Sequence, residues 1–313
     1  MGADPTRGST WNASTGSPKP CAAADPEIKL VASGGDALTL PRWNEEVIRG
    51  IGGAMDFLSM HLYLPAWIPL RSRVGHSPGD YYAIAAAGLA LEEQVERIEE
   101  LADRLLGAAV PIAFDEWNIL GPLRRFTDPY RTQREAIGVA GILHAFHHQA
   151  KYVKTAAMLA MLNSAAPPIL TTRDALVRTP VFHILRVYRR LSGKARVLSE
   201  VQCPAVDVPG LLNLPRRRSV PLLDVSAHLD DHRLTVFVIN RDYRENQAAE
   251  LEISGFRFSN PVRIHTIAAN GYPAENSETQ PEAVAERIAE VEWSGHHVFP
   301  ACSVTAMVME KSS

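Results

Sequence analysis

The chain has 313 residues, of which 46% are hydrophobic and 21% charged, with a formal net charge of -3. That length allows one large domain or two ordinary ones, and the composition is that of a globular chain. The charge excludes the basic excess that nucleic acid or an anionic membrane surface demands, and no run of about 18 apolar residues offers a membrane span.

Residues 1–20 are rich in Gly, Ser, Thr, Pro and Asn and lack the apolar stretch of a secretion signal. They read as a disordered or non-native leader, and the missing secretion signal gives the expectation of a cytoplasmic chain. Cys21, Cys203 and Cys302 are odd in number, far apart and outside any CxxC pair, so reduced thiols are expected rather than a zinc knuckle or a redox dithiol.

From about residue 22 to 192, strand-like runs alternate with helical ones. Ile28 to Ser33 is β-branched and runs into Gly34-Gly35, a strand with a turn behind it. Residues 42–51 read as a short helix, and Asp56 to His61 as a second strand. Tyr81 to Leu106 reads as one long amphipathic helix, because Leu91, Val95, Ile98, Leu101 and Leu105 recur at spacings of three and four. Its glutamates fill the solvated side and carry no chemistry. Val110 to Phe114 is a third strand, Thr127 to Gln149 a helix, Val153 to Leu162 a fourth strand and residues 178–192 a last helix. Strands separated by helices predict a parallel sheet with right-handed crossovers.

After Gly193 the pattern becomes all-β. Leu222 to Leu229, Leu234 to Asn240, Ala249 to Ile253, Val262 to Ile267 and Ser303 to Glu310 are strand candidates. Ala249, Leu251 and Ile253 alternate with polar neighbours, the period of a half-buried antiparallel strand. The expected domains are therefore the leader over 1–20, four βα units over 21–192, which is half of an eight-unit barrel, and an antiparallel β-sandwich over 193–313.

The main chemical candidate is Phe114-Asp115-Glu116-Trp117-Asn118, where an apolar strand meets two carboxylates, an indole and an amide. In a parallel barrel the C-terminal strand ends form the active face, and alternation sends Asp115 and Glu116 to different sides. Glu116 is the candidate functional carboxylate, and Trp117 a platform for a sugar face. The plain alternative is that the two acids open a solvated loop. His61 and Tyr63 lie two apart at the end of the second strand and share a side. A Tyr hydroxyl there can hold a carboxylate ionised, or both residues are simply packed at the rim. His144 and His148 have the i, i+4 spacing of a helical zinc pair but no glutamate between them, and no metal site is expected. Asn163 either reaches a ligand or caps a turn. No GxSxG, Walker loop or GxGxxG occurs.

These segments together resemble glycoside hydrolase family 51, the α-L-arabinofuranosidases, in its C-terminal portion. Ala24 to Gly34 resembles the segment of the fifth barrel strand, Asp56 to Tyr63 the sixth and Phe114 to Asn118 the seventh. Val153 to Asn163 resembles the eighth, and Val238 to Arg241 a strand of the family's sandwich. The fold the resemblance implies is α/β plus all-β: the C-terminal half of a (β/α)8 TIM barrel followed by an antiparallel β-sandwich. It implies a retaining hydrolase acting on terminal arabinofuranosyl groups of arabinan, arabinoxylan or their oligosaccharides, with no metal or organic cofactor. Glu116 would be the nucleophile, Tyr63 would orient it, His61 would line the pocket, and Trp117 and Asn118 would border the sugar subsite.

Two departures limit that reading. The family's acid/base glutamate stands in a Gly-Asn-Glu context on the fourth strand, and this sequence has no Gly-Asn-Glu. Asn44-Glu45-Glu46 falls on the helix after the fifth strand and is no substitute. The family's Ala-Gln pair on the eighth strand stands here as Leu159-Ala160. The expectation is a truncated, impaired glycosidase, or alternatively a non-catalytic remnant that binds carbohydrate. The open first and fourth strands of a half barrel further predict a homo-oligomer or a partner that covers them.

Overall fold

The computed structural model describes residues 25–37, 39–65, 75–120, 131–164 and 166–312. The leader expected over 1–20 and the first residues of the helix expected from Thr127 lie outside them. The described residues form two compact units. One holds residues up to His61, Gln94–Glu116 and Lys151–Ala157; the other holds Leu62–Glu93, Trp117–Ala150 and Met158–Ser313.

The first unit holds β1 (Val31–Ser33) and the leading parts of β2 (Phe57–Pro65), β3 (Ile112–Leu120) and β4 (Val153–Met158), a sheet whose order follows the chain. β1 pairs with β2 in parallel, Val31 opposite Phe57 and Ser33 opposite Ser59. Leu58 N–H donates to Pro111 C=O at 2.9 Å, and Ile112 N–H to Tyr152 C=O at 2.9 Å, which ties in the next two strands. The expected strand-helix alternation is thus present. On β2, Leu58, Met60, Leu62 and Leu64 are buried on one face, while Ser59, also buried, His61 and Tyr63 occupy the other.

Gly34 ends β1 because nothing larger fits. A Cβ there would lie 2.3 Å from the Ser59 carbonyl oxygen. Helix α1 (Pro41–Ile51) opens on a proline at its first turn. Its Asn44 is fully buried and clamps Gly35, accepting from the Gly35 N–H at 2.8 Å and donating to its C=O at 2.9 Å. Asn44-Glu45 is therefore a structural turn-to-helix tie.

The helix expected over Tyr81–Leu106 is two helices, α2 (Pro78–Ala85) and α3 (Ala87–Leu106). Ala86 leaves the helical region with φ -96° and ψ 9°. Beyond this break, Gly88 meets the Gly141 backbone so closely that a Cβ would sit 2.2 Å from the Gly141 carbonyl oxygen. Ser77 and Asp80 close a reciprocal cap at the start of α2. The apolar stripe of α3 is as expected, with Leu91, Val95, Ile98 and Leu101 buried.

The second unit centres on a six-stranded sheet. Its strands are β7 (Ala195–Val197), β10 (Leu223–Leu229), β11 (Arg233–Asn240), β13 (Val262–Ala268), β14 (Glu286–Val291) and β16 (Ser303–Glu310), in the order β14-β13-β16-β11-β10-β7. The registered neighbours are antiparallel. β5 (Ile169–Thr171) with β6 (Leu176–Arg178), and β8 (Ala205–Val208) with β9 (Arg217–Pro221), form separate pairs, as do β12 (Gln247–Glu250) and β15 (His296–Phe299).

Both faces of the central strands β11 and β16 are buried. Leu234, Val236 and Val238 of β11 join Val262, Ile264, Met307 and Met309 in one core, against which Leu251, Ile253, Phe258 and Trp293 pack. The intervening Phe237 faces the other way and stacks on Tyr188 of helix α5 (Pro180–Leu191), centroids 4.4 Å apart. Helix α4 (Gln133–His148) buries 13 of its 16 residues and lies with α5 against the same sheet. Two differences from expectation follow. The sandwich is unequal, six strands against a two-stranded ribbon, and the units do not part at residue 193, because α4 and α5 bury their apolar faces on β10, β11 and β16.

Candidate functional site

The two carboxylates do not open a loop. β3 continues through Asp115 and Glu116 to Leu120, so both acids are held by strand backbone. Simple alternation separates them, yet both carboxylates meet the imidazole of His61. Asp115 Oδ1 lies 3.5 Å from His61 Nε2, and Glu116 Oε2 lies 3.4 Å from His61 Nδ1. The side chains of His61, Asp115 and Glu116 are 51%, 47% and 36% exposed, which leaves the cluster open to an incoming ligand.

Ser59 completes the group from beneath. It is two residues before His61 on β2, on the same face, and its hydroxyl donates to Asp115 with Oγ–O distances of 2.7 and 2.9 Å. Ser59 belongs to no motif in the sequence. The period-two spacing to His61 was the available signal.

The remaining sequence-selected residues belong to the second unit. Tyr63 is half-buried on β2. Trp117 is 3% exposed and packs edge-on against Phe146 at a centroid distance of 5.3 Å. The open indole platform expected of it is thus corrected: β3 points this side chain into the interior. Asn118 is 2% exposed, and its Nδ2 donates to the carbonyls of Leu159 at 3.0 Å and Ala166 at 3.3 Å. Its amide nitrogen is occupied in tying down the chain after β4. Asn163 takes its plain reading. It has φ 49° and exchanges hydrogen bonds with Thr171, accepting from the backbone N–H at 2.7 Å and donating to the hydroxyl at 2.7 Å.

Of the histidines of α4, His144 is buried and His147 and His148 are half-buried against β10. His144 lies 3.1 Å from Asp224, His148 contacts Glu92 at 2.8 Å and the Val225 carbonyl at 3.1 Å, and His147 contacts the Ser226 hydroxyl at 3.2 Å. Among the described residues no group of His, Cys, Asp and Glu has the arrangement of a metal site. No described helix is long and apolar enough to cross a membrane.

Fold and site together define a class: an α/β sheet with strand-borne, ligand-accessible carboxylates, joined to an antiparallel β domain. The comparisons give the family. The profile of the α-L-arabinofuranosidase C-terminal domain matches residues 115–303, beginning at Asp115 of the carboxylate pair. The chain belongs to this family. It is 25% identical over 310 residues to "Probable alpha-L-arabinofuranosidase C" of Aspergillus clavatus, covering 90% of this chain and 57% of that protein. Its fold is similar to the α-L-arabinofuranosidase of Thermotoga maritima in its arabinose complex, with a TM-score of 0.79 at 24% identity over 93% of this chain and 60% of that one. It is similar also to the family 51 α-L-arabinofuranosidase of Thermotoga petrophila RKU-1, with a TM-score of 0.81 at 23% identity and 59% of that chain covered. The chain thus spans between half and three-fifths of the length of these relatives.

Proposed function

We propose that this chain carries the nucleophile half of a retaining α-L-arabinofuranosidase site, with Glu116 as the attacking carboxylate. The observation that supports this most is the placement of Glu116 on β3, part-exposed, with His61 Nδ1 at 3.4 Å, in a chain of this family. In such chemistry a carboxylate bonds to the anomeric carbon, while a second group roughly 5–5.5 Å away protonates the leaving oxygen and then activates water.

Asp115 is held by Ser59 and His61, so it is poorly placed to act as that second group, and no Gly-Asn-Glu occurs in the sequence. The chain alone therefore attacks but does not donate a proton. Loss of general-acid help costs about 10²–10⁴-fold, least for a leaving group that needs no proton. The substrate class is terminal arabinofuranosyl groups of arabinan, arabinoxylan or their fragments. The roles that resemblance gives Tyr63, and the binding of sugar near Trp117 and Asn118, are part of this reading, with the last two acting through packing.

The sheet β1-β2-β3-β4 is read as half of a (β/α)8 barrel. β1 and β4 are its edges, and Lys154 to Ala157 on β4 are exposed, which fits a surface covered in a homo-oligomer or by a partner polypeptide. Cytoplasmic placement is also part of the proposal.

The test is release of nitrophenolate from 4-nitrophenyl α-L-arabinofuranoside by the purified chain. A burst that Glu116→Gln abolishes is expected. Unchanged release by Glu116→Gln would remove Glu116 from the role.

A further inference from the structure

We propose that Asp115 is a positioning residue for Glu116, acting through the His61 ring, and that Ser59 fixes Asp115 in turn. The inference rests on the reading of Glu116 as nucleophile. Four side chains run in sequence: the Ser59 hydroxyl, 2.7 and 2.9 Å from the Asp115 oxygens; Asp115 Oδ1, 3.5 Å from His61 Nε2; and His61 Nδ1, 3.4 Å from Glu116 Oε2.

Each link has a physical reason. Two neighbouring carboxylates repel, and a group held between them orders both side chains. An imidazole does this, because its two nitrogens face opposite ways and the partner on one fixes the orientation of the other. Ser59 is 7% exposed, so its hydroxyl is anchored in the sheet and gives the line a rigid end. Ser59 and His61 share one face of β2, and Asp115 and Glu116 are consecutive on β3, so two strands set the whole arrangement. The ring contacts are long for hydrogen bonds. Such contacts tighten when a bound substrate excludes water.

The experiment follows the first turnover of 4-nitrophenyl α-L-arabinofuranoside by the 313-residue chain. A Glu116 oxygen bonds to the anomeric carbon as the bond from that carbon to the nitrophenyl oxygen breaks. Nitrophenolate leaves with the electron pair, and no proton is needed. Asp115→Ala is expected to slow the burst about 10- to 100-fold while apparent substrate affinity stays within about twofold, because orientation rather than binding is lost. Asp115→Asn keeps an acceptor toward His61 and is expected to recover most of that loss. Ser59→Ala is expected to give a smaller loss of the same kind.

A second measurement does not depend on turnover. Two-bond 1H–15N spectra of the His61 ring are expected to change in Asp115→Ala and Ser59→Ala, reporting a released Nε2. Absence of any burst in the unmodified chain would overturn the glycosidase reading, and the ring spectra would still decide the array. Ring signals unmoved by Asp115→Ala, or a burst equal to that of the unmodified chain, would overturn the positioning role.

Discussion

His61 Nδ1 stands 3.4 Å from Glu116 Oε2 while the far side of the same ring faces Asp115. One imidazole therefore sits between the two adjacent acids of β3. If Glu116 were only a surface acid, its removal would be neutral. We predict that Glu116→Gln leaves the melting temperature within about 2 °C, as for surface substitutions, while eliminating nitrophenolate release. Thermal melting and stopped-flow absorbance read the two effects separately.

Asn118 was expected to border sugar, but its buried amide holds two backbone carbonyls. Asn118→Ala should destabilise by about 1–3 kcal/mol, the cost of leaving buried acceptors unpaired. Urea titration checks the magnitude. A variant of full stability with weakened sugar binding would restore the direct role.

Arg241 is 3% exposed and donates to the carbonyls of Ala85 at 3.1 Å and Pro221 at 3.0 Å while pairing with Asp224. Desolvation alone would raise the pKa of Asp224; Arg241 and His144 outweigh this and hold it well below the ordinary carboxylate range. Arg241→Met strands that charge and should cost about 3–5 kcal/mol. The double change Arg241→Met with Asp224→Leu should cost less than the sum of the single changes, measured as a cycle of unfolding free energies.

Buried histidines predict a loss of stability in acid. Burial pushes His147 down from 6.5 to about 2, with His228 adding to the shift, and burial pushes His228 down to about 4. His144 is lowered too, chiefly by burial. In the unfolded chain these rings take protons near 6.5, which the folded state refuses. Their contribution is therefore complete above that pH and falls as pH drops from 6.5 toward 4. His148 works the other way: burial lowers it, but its Glu92 contact and Asp224 outweigh this and raise it. Arg196 and Arg241 also face the group. With more rings lowered than raised, stability should fall by about 1–3 kcal/mol between pH 6.5 and 4.5. His147→Phe should flatten that slope, as followed by melting temperature against pH.

Much of the fold was legible where burial writes a period. The stripe Leu91, Val95, Ile98 and Leu101 marks a helix face, and β11 and β16 are long apolar runs. The break at Ala86 was not legible, because it falls among alanines with no proline and depends on the approach of Gly88 to Gly141. β14 and β15 escaped notice because most of their side chains are exposed or half-buried, so no apolar alternation marks them. At the site, the residue types Glu116 and His61 were readable, but their meeting was not, since register between β2 and β3 is a tertiary property. The polar Asp115 and Glu116 imitated a loop while lying inside β3. Trp117 and Asn118 have the chemistry of a sugar site but are buried, a fact no local pattern reveals.

The most direct measurement of the central claim is mass mapping of the chain after reaction with a 2-deoxy-2-fluoro-α-L-arabinofuranoside bearing a dinitrophenolate leaving group. The fluorine slows release of the glycosyl ester, so the attacking residue keeps its sugar. The account predicts a gain of one fluorosugar per chain, carried on the peptide that contains Glu116 and absent from Glu116→Gln. No adduct, or an adduct on any other carboxylate, would contradict it.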